Sequence, residues 1–201
     1  MRASTRREYV DGPTGRIECA VDAPDGAPAG IALVAHPHPL YGGTLDNKVA
    51  QTLARACVAQ GAVAYRPNFR GVGATEGVHD GGRGELEDLA AVLAYAARQH
   101  GALPVTLAGF SFGAALQVQL AARVMPARLA LVGVAVTAFE LPHAPSGALV
   151  VHGELDDTVP LAAVLDWARP QELPVIVLPG ADHFFHRRLN LLRDLVARYL
   201  R

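Results

Sequence analysis

The stretch Leu129-Ala130-Leu131-Val132-Gly133-Val134-Ala135-Val136 carries no polar side chain. It is far too short to span a membrane, and it reads as a strand buried on both faces. Strands of that kind belong to parallel sheets covered by helices. Shorter apolar runs recur at residues 30–35, 62–67, 104–108, 148–152 and 175–178. Segments with helical apolar spacing lie between them. Val49, Leu53, Ala56 and Cys57 mark one, with Asp46 or Asn47 to cap it and Gly61 to stop it. Residues 84–100 mark a second. Glu85, Glu87 and Asp88 suit its positive N-terminal end, and Leu86, Leu89, Ala90, Leu93, Ala96 and Ala97 form its inward stripe. Residues 160–169 and 186–201 are two more helices, the last with Leu189, Leu192, Leu195, Val196, Tyr199 and Leu200 on one side. Near the N-terminus, residues 7–10 and 16–21 flank a turn-rich cluster and read as a strand pair. The alternation predicts an α/β fold. It is a three-layer α/β/α sandwich whose mostly parallel sheet has about seven or eight strands.

Bulk properties narrow the function classes. A chain of 201 residues is long enough for one domain with a substantial core, and residues 1–201 are read as a single domain. The formal net charge is −1 and no long basic run is present, which argues against nucleic acid as a partner. Cys19 and Cys57 do not make a disulfide framework, and Cys57 reads as a small buried hydrophobe. The arginines near the N-terminus are not followed by an apolar segment, so no signal peptide is expected. No apolar run approaches the roughly 18 residues of a membrane span. The expectation is a cytoplasmic protein without a membrane partner.

The apolar run ending at Ala108 leads into Gly109-Phe110-Ser111-Phe112-Gly113. A small-residue, helix-prone run follows, Ala114-Ala115-Leu116-Gln117-Val118-Gln119-Leu120-Ala121-Ala122. Strand, tight turn, helix, with serine at the bend, is the G-x-S-x-G arrangement of a nucleophile elbow. The flanking glycines have a steric reason, because a Cβ at either place would meet a neighbouring strand or helix. In an open α/β sheet, chemistry gathers beyond the C-terminal ends of the strands. Past the run ending at His152 come Asp156 and Asp157, and past the run ending at Leu178 comes His183. Both sets lie on the rim that carries Ser111.

Five motifs then fall in order: His38-Pro39-Leu40-Tyr41-Gly42-Gly43, Asn68-Phe69-Arg70-Gly71-Val72-Gly73, the elbow, His152-Gly153-x-x-Asp156-x-x-Val159-Pro160, and Gly180-x-Asp182-His183-Phe184. Over essentially its whole length the chain resembles an α/β-hydrolase-fold serine hydrolase. It is similar to a small lidless bacterial subgroup near the dienelactone hydrolases and carboxylesterases. The resemblance implies Ser111 as nucleophile, His183 as general base and Asp156 as the orienting acid, with Asp157 as the fallback. It implies two backbone N–H donors for a developing oxyanion. One is Phe112. Alignment of the loop after residue 35 gives Leu40 as the preferred second donor, or His38 if His36 is the anchor.

The connection over residues 137–147 is too short for the helical cap of many relatives, so no cap domain is expected. Tyr41, Phe110, Phe139, Leu141 and Phe184 are candidates to line an acyl pocket. The nucleophile is serine, not the cysteine of true dienelactone hydrolases. The leading expectation is a carboxylesterase that takes small to medium acyl esters through an acyl-enzyme at Ser111, with a small-molecule acyl substrate as its partner. The alternatives are a peptidase or thioesterase with the same triad, or a non-catalytic ligand- or partner-binding protein of this fold. No cofactor is implied. His36 and His38 sit two apart, but the intervening prolines and the lack of suitably spaced further ligands argue against a metal. His152 reads as a loop-bracing hydrogen-bond residue. His186 is the nearest competitor of His183 and is placed on the last helix.

Overall fold

The apolar runs become the inner strands of one mixed sheet. The computed structural model describes residues 4–201. Met1, Arg2 and Ala3, part of the arginine-bearing segment read above for leader character, lie outside the described residues. In chain order the elements are β1 (Ser4–Gly12), β2 (Gly15–Ala23), β3 (Gly30–Ala35), α1 (Lys48–Val58), β4 (Ala62–Pro67), α2 (Arg83–His100), β5 (Val105–Phe110), α3 (Phe112–Val124), β6 (Arg128–Val132), β7 (Leu149–Gly153), α4 (Leu161–Ala168), β8 (Val175–Leu178) and α5 (Leu189–Tyr199). The strand order is β1-β2-β4-β3-β5-β6-β7-β8. The β1–β2 and β2–β4 pairs are antiparallel, and every later pair is parallel.

The strands alternate between two cores. Ile31, Leu33 and Ala35 of β3 face the layer of α2, α3 and α4, whereas Ala32 and Val34 face α1 and α5. Leu129 and Leu131 of β6 join the first core, and Ala130 and Val132 join the second. Helices therefore cover both faces, as the unbroken apolar runs require. The chain leaves β3 toward β4 and returns to place β5 on the other side of β3. That reversal opens a crevice at the C-terminal ends of β3 and β5, the usual place for a ligand in such a sheet.

Several expectations about boundaries are corrected. The sixth strand does not run to Val136 but stops at Val132. Gly133 turns there with φ +53°, and a Cβ on it would lie 3.4 Å from the His183 ring and 3.2 Å from Phe110. Val134 and Ala135 beyond it stay buried by packing on the elbow, where the Ala135 N–H bonds the Ser111 carbonyl. Of the two caps read for α1, Asn47 is the one used, its Oδ1 accepting the N–H groups of Val49 and Ala50. In α2, Val92 is buried and Ala97 is exposed, so the inward stripe is shifted from the expected one. Glu85 and Asp88 are buried in it as well. Asp88 receives a two-pronged bond from Arg70, with both contacts at 2.8 Å, which clamps the glycine-rich loop after β4 onto α2. His186 is not on the last helix. Asp182 takes its N–H and its ring nitrogen, which holds residues 183–188 in a turn that delays α5 until Leu189.

Candidate active site

The elbow is built by exclusion of volume. Ser111 has φ 54° and ψ −117°, a left-handed backbone that an L side chain rarely adopts. A Cβ on Gly109 would lie 2.6 Å from the Gly113 carbonyl, and one on Gly113 would lie 2.4 Å from the His36 carbonyl. Only glycine at both places lets the first turn of α3 sit this close to β5 and to the end of β3. The strained residue is tied down on both sides. Its N–H donates to Val132 O at 2.9 Å, and its carbonyl accepts from Ala115 at 3.1 Å and Ala135 at 3.2 Å.

The other two polar groups arrive from β7 and β8. The Ser111 hydroxyl is 3.1 Å from His183 Nε2, and His183 Nδ1 is 2.7 Å from Asp156 Oδ2. All three side chains are buried. Oδ1 of Asp156 accepts the N–H groups of Thr158 (3.0 Å) and Val159 (2.7 Å), so the carboxylate cannot rotate freely. Burial opposes its ionisation. The donors, led by His183 and Val159, outweigh that cost and hold the carboxyl below the ordinary carboxylate range. Asp157 is exposed and its carboxylate meets the Thr158 hydroxyl instead. Phe110 is fully buried against the His183 ring, with centroids 4.8 Å apart.

Opposite the elbow, residues 36–43 fold into a tight loop around a single 3₁₀ turn, Pro39–Tyr41. His36 is fully buried. Its Nε2 accepts the Phe69 N–H at 3.0 Å and its Nδ1 lies 2.7 Å from the Pro37 carbonyl. Burial pushes its pKa down to about 4, so the ring is neutral near pH 7. The Leu40 N–H, the preferred second oxyanion donor from the sequence, is donated to the His38 Nδ1 at 3.2 Å. The His38 N–H has no partner among the described residues, and neither does the Phe112 N–H at the start of α3. The two rings that follow these amides pack together, with centroids 4.7 Å apart.

This geometry has close counterparts. A family model described as X-Pro dipeptidyl-peptidase (S15 family) matches residues 11–174. The chain belongs to the S15 family of α/β hydrolases. An uncharacterized protein of Rickettsia prowazekii (strain Madrid E) is 32% identical over 96% of this chain and 87% of that one. A lidless α/β serine hydrolase of Xanthomonas campestris is 33% identical, with a TM-score of 0.93, covering 100% of this chain and 95% of that one. An α/β serine hydrolase homologue of Coxiella burnetii is 36% identical, with a TM-score of 0.89, over 100% and 99%. The chain is thus a serine hydrolase of α/β fold without a cap domain.

The site of this S15-family hydrolase differs from the sequence reading in its walls. Phe110 does not face the crevice; it supports the His183 ring from below. Leu40, Tyr41 and Phe184 are exposed at the rim. Phe139 and Leu141 are half-buried, and the Phe139 ring packs on Phe112 at 5.5 Å. The sequence reading missed His79. Its ring lies 5.0 Å from that of His38 and 5.8 Å from that of Phe112, with Glu85 Oε1 2.7 Å from its Nδ1. Glu85 also takes the N–H groups of Asp80 and Gly82, which sets the loop before α2. Its aromatic neighbours come from the loop after β3 and from α3, distant in sequence, and only Glu85 of α2 lies nearby in the chain. Among the described residues no group of three or more His, Cys, Asp or Glu is placed to hold a metal ion. No helix among them is long and apolar enough to cross a membrane.

Proposed function

We propose that this protein is a carboxylesterase that cleaves small to medium acyl esters through an acyl-enzyme at Ser111. One observation carries the reading: the unbroken contact from the Ser111 hydroxyl through His183 to the pinned carboxylate of Asp156. His183 Nε2 takes the hydroxyl proton as Oγ attacks the ester carbonyl, and Asp156 holds the imidazole in register and stabilises its cation. The oxyanion forms against the N–H groups of Phe112 and His38. This assignment replaces Leu40, whose N–H already serves the His38 ring. The start of α3 adds its own positive end. Collapse expels the alkoxide, which His183 protonates. Water then repeats the sequence and frees the carboxylic acid.

An uncapped crevice with Leu40, Tyr41 and Phe184 on its rim suits a modest acyl group reached directly from solvent. The family match favours a second reading, cleavage after an X-Pro dipeptide. The matched residues contain Ser111 and Asp156 but end before His183. A dipeptidyl-peptidase also needs an anion for the free ammonium of its substrate. Glu85, the buried carboxylate beside His79, spends both oxygens on the Asp80 and Gly82 amides. These points support the ester reading.

The test has two parts. A fluorophosphonate probe is expected to label the wild type and not Ser111→Ala, which should lose on the order of 10⁶ in kcat. Folded wild-type protein that resists the probe would sink the enzyme reading. p-Nitrophenyl esters of two to eight acyl carbons (~C2–C8, the span a modest pocket admits) are then compared with an X-Pro p-nitroanilide. Turnover of the anilide alone would replace the esterase by the peptidase.

A further inference from the structure

His152 closes β7, is completely buried, and has no part in the reaction as written above. Its Nε2 lies 2.9 Å from the Val159 carbonyl oxygen and 3.4 Å from Asp156 Oδ2. Both neighbours are acceptors, so Nε2 carries the hydrogen. Its Nδ1 is buried without a partner among the described residues. A hydrogen there would be an unpaired buried donor, so the ring is neutral with Nδ1 bare. Burial, the largest influence, and the nearby His183 both disfavour a proton on His152, against the pull of Val159 and Asp156.

We propose that His152 is a positioning residue whose Nε2–H, bonded to the Val159 carbonyl and lying close to Asp156, sets how tightly that carboxylate holds His183. The proposal rests on the reading of Asp156 as the acid of the acyl-enzyme mechanism. Two features of the geometry support it. First, His152 and Asp156 grip the same residue from opposite sides. Val159 gives its N–H to Oδ1 of Asp156 and takes the His152 hydrogen on its carbonyl. The ring therefore fixes the peptides that fix the carboxylate. Second, Oδ2 faces two imidazoles: His183 bonds it at 2.7 Å, and His152 Nε2 lies 3.4 Å away. The positive end of that N–H, beside Oδ2, offsets part of the charge that would otherwise act on the His183 cation. Around this group, Glu154 is committed to the Gly180 N–H, Asp157 to the Thr158 hydroxyl, and Asp182 to His186. The charges facing His152 are therefore those of Asp156 and His183.

The test is the pH profile of kcat/KM on a p-nitrophenyl ester for the wild type, His152→Leu and His152→Gln. Leucine fills the space without a donor, and the glutamine amide can put an N–H where Nε2–H was. With His152→Leu the acidic limb is expected to move to higher pH by about half a unit to one unit, because a carboxylate relieved of the neighbouring N–H dipole holds the His183 cation more firmly. kcat falls while KM stays. His152→Gln restores the limb. A His152→Leu enzyme with a lower melting temperature but an unmoved profile would reduce His152 to a packing residue and overturn the proposal. If neither variant folds, imidazole nitrogen NMR of the wild type decides: a neutral ring protonated on Nε2 through the active range upholds it, and a proton on Nδ1 overturns it. Fluorophosphonate labelling of the wild type separates the two layers. No labelling overturns the acyl-enzyme reading and this role with it, whereas labelling with an unmoved profile overturns only the role of His152.

Discussion

The elbow after β5 and the loop after β3 meet across one crevice, yet they are held in place by opposite means. At the elbow, backbone excludes backbone: Gly109 and Gly113 admit no Cβ, and the peptide of Ser111 is bonded to β6 and to its own helix. In the loop, imidazoles take over work that backbone does elsewhere. His36 receives the Phe69 N–H, and His38 receives the Leu40 N–H and stacks among Tyr41, His79 and Phe112. Steric construction is indifferent to pH and tolerates no substitution. Side-chain construction tolerates change of shape but carries titratable groups. One site thus combines a rigid half and a half whose integrity depends on protonation.

The largest expected effect tests whether the rigid half depends on one carboxylate. Asp156→Asn is expected to lower kcat by about 10⁴-fold, since an amide cannot hold the imidazole in the same tautomer or balance its cation. Asp157→Asn is expected to match the wild type. Equal losses in ester turnover would mean that the exposed neighbour shares the role.

The next effect bears on the loop. His38 has φ −55° and ψ 125°, a conformation open to proline, which has no N–H. His38→Pro and His38→Ala both lose the ring, and only the first loses the amide. The proline variant is expected to fall about 10²–10³-fold below the alanine variant in kcat, the usual cost of one oxyanion donor. Equal rates would return the role to another amide.

The third effect concerns the titratable half. The pKa of His36 is lowered from 6.5 to about 4 in the folded protein. The unfolded chain therefore takes up a proton that the folded state refuses. This group's contribution to stability is complete above pH 6.5 and is lost as the pH falls toward 4, by on the order of 3 kcal/mol. Urea unfolding across that window is expected to show the slope in the wild type and to lose this component in His36→Gln. A variant with the wild-type slope would place the titration elsewhere. The smallest effect is at the rim. Phe184→Ala is expected to raise KM for the longer esters severalfold, at about 1 kcal/mol for a lost, partly exposed apolar contact, while acetate turnover is kept. An unchanged chain-length preference would remove Phe184 from the acyl wall.

The contrast also explains what could be read from residues alone. The strand–helix alternation, Gly109 and Gly113 are consequences of local sterics and periodicity, so the chain states them directly. That Ser111, an aspartate of the 156–157 pair and His183 converge was legible because each follows an apolar run by a few residues, and the sheet brings all strand ends to one rim; the preference for Asp156 rested on the family resemblance. The end of β6 was not legible. Gly133 turns the chain with φ +53° between the Phe110 and His183 rings, and the second of these lies far away in sequence. The choice between Leu40 and His38 as second donor was left open for the same kind of reason. The commitment of the Leu40 N–H to the His38 ring depends on a 3₁₀ turn that proline-rich sequence leaves undetermined. His79 and the buried pair Arg70–Asp88 sit in or beside a glycine-rich loop without periodicity, and their partners come from other elements.

The three hydrogen bonds on the peptide of Ser111 carry a consequence for how this protein wears out. They join the strained residue to β6 and α3, near the middle of the sheet. Such positions open only when the whole domain opens, unlike fraying loops and termini. The proposed nucleophile should then share the lifetime of the fold. In hydrogen exchange the amide of Ser111 should rank with the slowest. On gradual heating, probe labelling and the circular-dichroism signal should disappear over the same few degrees.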